Sequence, residues 1–171
     1  MFNFRRVASV AAAILLLFFA YQFFSKENIS NEYLFADNFE PYQMVLNQRS
    51  GTDESANQII LNEAIKAYEN KDFEKAVYSF QNLSNQEPSI IAYPFYKALA
   101  HMGAKNPAVA IPILTKIVDT PDHLFKEQSR WYLALANLQD GDRIAALKQF
   151  QMIQEGQFKF NEAKKILESI E

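Results

Sequence analysis

A sequence of 171 residues with 49% apolar composition has room for one domain with a sizeable core, and its net charge of −3 gives no electrostatic footprint for nucleic acid. The absence of cysteine excludes a disulfide framework, thiolate zinc sites and a cysteine nucleophile. With only 4 Gly and 6 Pro to interrupt it, the sequence disfavours a sandwich or barrel of many short strands.

The first expected element is a membrane span. Val7 to Phe24 is an apolar run without a charge, preceded by Arg5-Arg6 and followed by Lys26. Coiled as a helix it reaches ~27 Å, enough for a bilayer core with snorkelling ends. A cleaved signal peptide shares the basic start and apolar stretch. Cleavage after Ala20 would place the large Phe18 at the −3 position, so an uncleaved anchor over 7–24 is the expectation. The paired arginines then hold residues 1–6 in the cytoplasm, and the rest of the chain lies across the membrane.

Residues 25–55 carry no sustained helical period and read mostly as a linker. Within them, residues 31–42 predict a short helix capped by Asn31 and stopped before Pro41. Tyr33, Leu34, Phe35, Phe39 and Tyr42 are too many large apolar groups for an idle tether. They suit packing on the first repeat, contact with the membrane surface, or docking of a partner. Arg49 to Ser55 reads as flexible polar chain ending in a helix cap.

From there the apolar period becomes helical and repeats. Ala64, Asp72, Ala76, Val77, Phe80 and Leu83 recur 34 residues later as Ala98, Asn106, Ala110, Ile111, Leu114 and Ile117. They recur after a further 36 as Ala134, Asp142, Ala146, Leu147, Phe150 and Ile153. A fixed period in this range marks stacked helical hairpins, with insertions in loops; the extra two residues are expected around Thr120 to Leu124. Asp72, Asn106 and Asp142 are the expected caps of the second helices, with Pro107 at a first helical position and Pro112 bending the helix that contains it. The alanines let paired helices approach closely, and Phe80, Leu114 and Phe150 fill the space between neighbouring hairpins. After a break at Gly156, Phe160, Ala163, Leu167 and Ile170 predict a capping helix backed by Glu162, Lys165 and Glu168.

These residues resemble the tetratricopeptide repeat family, most clearly at 131–146 and 67–76. Relative to that family's pattern, Lys71 and Lys105 stand where a turn glycine is usual, and Gly141 keeps it. The resemblance implies an all-α, right-handed α-α superhelix of about three hairpins (57–90, 91–124 and 127–157) with a capping helix at 158–171, together forming a domain over 56–171. The layout with one span is similar to bacterial membrane-anchored proteins of this family. That implies a single-pass protein of the bacterial inner membrane with its repeats in the periplasm.

No catalytic constellation is present. His101 and His123 fall in no metal-ligand spacing, and no glycine-rich phosphate loop occurs. Neither cofactor, metal, small-molecule substrate nor nucleic acid is expected. The resemblance implies instead a non-enzymatic scaffold or assembly factor that binds a partner protein or peptide in a concave groove lined by the first helices. Tyr96 and Tyr132 are equivalent positions 36 apart, and with Tyr93, Lys97 and Arg130 they are the candidate partner-binding residues. Completion of inter-repeat packing is the competing role for these tyrosines. The family's clamp for a terminal carboxylate has no counterpart here, because Leu61, Ile65, Phe95 and Leu99 occupy its neighbourhood. An accessory subunit of the protein translocation or envelope assembly machinery is the alternative function.

Overall fold

A computed structural model describes residues 29–46, 55–121 and 123–170. The expected span at 7–24 lies outside them. Among the described residues no helix is long and apolar enough to cross a membrane. Every regular element among them is a helix. Helix α1 is Asn31–Asn38, followed by α2 (Ala56–Glu69), α3 (Phe73–Gln86), α4 (Ala92–Gly103), α5 (Pro107–Asp119), α6 (Lys126–Asp140), α7 (Arg143–Gln151) and α8 (Phe160–Ile170). From α2 onward each helix packs on the next, so that α2/α3, α4/α5 and α6/α7 form three successive hairpins, and α8 closes against α7.

The three intra-hairpin turns share one backbone device. Lys71, Lys105 and Gly141 all have positive φ (61°, 60° and 91°). At the first two turns the next residue's N–H reaches back five residues, Asp72 to Ala67 O at 2.8 Å and Asn106 to His101 O at 2.8 Å. This left-handed closure satisfies carbonyls that the helix end would otherwise leave open. Asp72 and Asp142 then cap the second helices, each accepting from the main-chain N–H three residues on, at 3.3 Å and 2.9 Å. Asn106 does not follow them: its side chain makes no cap bond, and its carbonyl instead accepts from Val109 N–H. Helix α5 runs through Pro112 without interruption.

The alanines and the large apolar residues that recur at the 34- and 36-residue displacement form the core. Ala64, Ala98 and Ala134 on first helices are fully buried, as are Ala76, Ala110 and Ala146 on second helices. Phe80, Leu114 and Phe150 are buried beside them. Val77, Ile111 and Leu147 are only half-buried, at the edge of that core. The connection 120–125 is one residue longer than its counterpart 87–91, and helix α6 starts two residues earlier than α4 when Ala98 is matched to Ala134; Phe125 ahead of α6 stacks on Phe95 at 4.6 Å. His123 braces this junction, its Nδ1 accepting from Phe125 N–H at 3.2 Å and its Nε2 lying 2.7 Å from Ile117 O.

The segment ahead of the hairpins differs most from expectation. Ser30, not Asn31, caps α1, accepting from Tyr33 N–H at 3.1 Å. Asn31 instead donates to Gly141 O at 3.0 Å and accepts from Arg143 Nε at 2.7 Å, while Arg143 also donates to Ile29 O. Helix α1 therefore packs on α6 of the third hairpin rather than on the first.

Candidate functional site

Beyond α1 the chain continues without regular structure through residues 39–46, a strap laid across the side on which the first helices present tyrosines. Tyr132 of α6 donates its hydroxyl to Glu40 O at 2.7 Å. One helix away, Tyr96 of α4 donates to Gln43 O and accepts from Val45 N–H, both at 2.9 Å. All three bonds go to the strap's main chain.

Two strap side chains add anchorage. Phe39 stacks on Phe35 at 4.9 Å and meets the edge of Tyr132 at 6.3 Å. Tyr42 stands edge-to-face with Phe95, Tyr132 and Phe158 at 5.7, 6.5 and 5.6 Å, inside a box made by α4, α6 and the loop before α8. Such ring pairs are worth about 0.5–1.5 kcal/mol each beyond area burial. Pro41 between the anchors has no N–H to satisfy.

The tyrosines beneath are shut from water: Tyr96 is 0% exposed, Tyr132 3% and Tyr68 of α2 3%. Burial pushes the Tyr96 phenol up to about 12, with Val45 N–H opposing the shift and the nearby Tyr42 adding to it. Burial also raises Tyr132, assisted by Tyr42, Glu40 and Tyr96. Tyr68 rises for the same first reason, with smaller contributions from Tyr132 and Tyr96. Its hydroxyl lies alongside the Tyr42 main chain yet makes no well-formed hydrogen bond. The strap also leaves space on both flanks. A cleft of about 440 Å³ separates Pro41 to Met44 from Tyr68, Glu69 and Lys71, and another of about 350 Å³ lies between Asp37 to Gln43 and Phe158, Lys159 and Glu162.

Of the five candidate residues, Tyr96 and Tyr132 are brought together on this face. Tyr93 is buried, and its phenol is raised by burial and by the charge of Glu87. Lys97 turns to α3 and donates to Gln81 Oε1 at 2.9 Å; desolvation holds its ammonium below the usual lysine range. Arg130 turns to α7 and donates to Gln149 Oε1 at 3.2 Å. The sequence reading missed Tyr68, Phe95 and Phe158 as parts of the face. For Tyr68 and Phe95 the signal available was an aromatic residue on a first helix, which the core pattern had already absorbed; Phe158, in the loop before α8, carried none.

Among the described residues no cluster of His, Cys, Asp or Glu could hold a metal ion. Burial and the charge of Lys97 lower the imidazole of His101, whose Nδ1 is buried without a partner. The face can hold extended polypeptide and shield its main chain from water. No protein-family model matches the chain, and no curated protein is detectably similar to it in sequence.

Proposed function

We propose that this chain is a non-enzymatic interaction scaffold or assembly factor of the tetratricopeptide type. In this reading the three hairpins and the capping helix form a right-handed solenoid, and residues 7–24 anchor it in the bacterial inner membrane with the hairpins on the periplasmic side. A partner protein or peptide binds on the face of the first helices. The observation that carries the reading is the pair of tyrosines on successive first helices, Tyr96 and Tyr132, whose hydroxyls engage the main chain of an extended segment. Main-chain recognition of this kind holds a polypeptide without demanding a particular side chain at each step.

The test is affinity purification of the intact protein from solubilised membranes with identification by mass spectrometry, repeated on the Tyr96→Phe/Tyr132→Phe variant. A stoichiometric partner reduced at least several-fold in the variant is expected. Equal recovery from both would remove the face from the interaction. Protease added to spheroplasts should digest the hairpins; digestion only after membrane lysis would reverse the orientation.

A further inference from the structure

The strap is a poorer occupant of its own site than the site permits. Within residues 29–46 only Leu34 is buried to the level of the core, and residues 39–46 are half-buried or exposed. The tyrosines they cover are almost wholly buried. Two of the three tyrosine hydroxyls on this face are engaged by the strap, and the third, on Tyr68, is buried alongside the Tyr42 main chain without a well-formed hydrogen bond. A buried unpaired hydroxyl carries a desolvation cost that a main-chain carbonyl in reach would remove. The strap covers that hydroxyl, so such a carbonyl reaches it only once residues 41–44 move aside, and the cleft beside them is lined by Tyr68, Glu69 and Lys71.

We propose that this face is a docking site for an extended segment of another protein with an aromatic–x–Pro–aromatic core, and that residues 39–45 hold the site in cis until that segment displaces them. The proposal rests on the interaction reading above and names the partner's chemistry. Two aromatic anchors three residues apart, with proline before the second, match the positions of Phe39, Pro41 and Tyr42. The main chain of the partner meets Tyr132 and Tyr96 as the strap does, and makes with Tyr68 the full hydrogen bond that the strap at Tyr42 does not form.

A second copy of this chain is the less favoured occupant. Its strap has the same chemistry, so exchange gains no contact over the closed monomer. A tethered occupant acts at an effective concentration of order mM, which an identical segment in trans overcomes only above that level. A partner that also pairs Tyr68 has an advantage that a second strap lacks.

The experiment uses the full chain in detergent and a fluorescent synthetic peptide spanning residues 36–47 as the probe. Wild type should bind it only toward the mM range. Tyr42→Ala, which empties the aromatic box, should bind it at least ~10-fold more tightly, because weakening the cis occupant raises the fraction of open sites in proportion. Adding Tyr96→Phe and Tyr132→Phe should cancel the gain. A peptide altered at its flank to reach Tyr68 should lose its advantage in Tyr68→Phe.

Amide exchange of Val45 in wild type provides a measurement independent of variants. Exchange faster than that of α4 and α6 is expected, since the strap opens without global unfolding. Val45 exchange as slow as the helix cores would make the strap a fixed part of the fold and overturn the proposal. So would a folded Tyr42→Ala chain with no gain in peptide binding, or peptide binding indifferent to Tyr96 and Tyr132. A wild-type dimer abolished by Tyr42→Ala would give the site to a second copy and overturn it as well. A fixed strap with a partner still recovered from membranes would defeat this site while leaving the interaction reading standing.

Discussion

Lysine is an unusual choice for a left-handed turn, and this chain makes it at Lys71, Lys105 and Lys159. The side chain's Cβ crowds the following carbonyl there, at a cost of roughly 1–2 kcal/mol that glycine avoids. Glycine in turn loses more freedom on folding, by about 0.5–1 kcal/mol. The balance favours the substitution: Lys105→Gly is expected to stabilise the chain by roughly 0.5–1 kcal/mol, read as a higher midpoint in urea with an unchanged slope. A midpoint equal to or below wild type would show that the lysine side chain contributes an interaction outweighing its backbone strain. Gly103 presents the opposite case. A Cβ placed on it would lie 2.5 Å from the Phe73 ring, so this glycine makes room for that side chain and is not called for by its φ.

Helix α1 has eight residues, well below the roughly 12–15 at which an isolated helix begins to persist in water. Its order comes from Leu34 and from the Arg143 and Asn31 contacts. Arg143→Ala removes charge-assisted bonds worth about 1.5–3 kcal/mol. It should speed amide exchange across 31–38 by ~10-fold or more while the hairpins exchange as in wild type. Uniform loss of protection would mean that α1 is not a separable unit. The hairpins depend instead on small residues. Ala146→Leu forces a side chain into a fully buried contact and should cost ~1–3 kcal/mol; unaltered melting would contradict the packing at that position. These alanines were legible in the sequence because their spacing reports burial directly: a residue returning every 34 or 36 positions occupies the same place in each unit. The path of the strap was not. Its bonds join residues 51 to 92 apart in sequence, and hydroxyl-to-main-chain pairing leaves no side-chain pattern in the segment that receives it. Lys97 and Arg130 stand next to Tyr96 and to Trp131–Tyr132 in sequence, yet successive residues of a helix differ by about 100° in direction. Adjacency in the chain therefore did not carry them to the same face.

Across the whole molecule the aromatic contacts join the strap to all three hairpins. From Phe158 they pass through Tyr42 to Tyr132 at 6.5 Å and to Phe95, on to Tyr96 at 5.3 Å, and then to Tyr68 at 5.4 Å and Phe80 at 5.7 Å. Three of these rings are phenols whose ionisation burial resists. For Tyr96 the folded value is above the ordinary value of 10.0, so its contribution is fully present below pH 10 and is lost as pH rises towards about 12. That span amounts to roughly 2–3 kcal/mol at about 1.4 kcal/mol per unit. Stability measured in urea should fall steeply above pH 10, and Tyr96→Phe should show a shallower fall. An identical slope in the variant would place the alkaline loss elsewhere.

The attachment of Ile29 and Asn31 to Arg143 and Gly141 also has a mechanical meaning. Tension applied to the chain upstream of Ile29 reaches this clamp before it reaches Phe39 or Tyr42. The load passes into the turn between α6 and α7, and the strap beyond it stays slack. A pull from that side is therefore taken up by Arg143 and Gly141, and the bonds that Tyr96 and Tyr132 make to the strap lie beyond its reach.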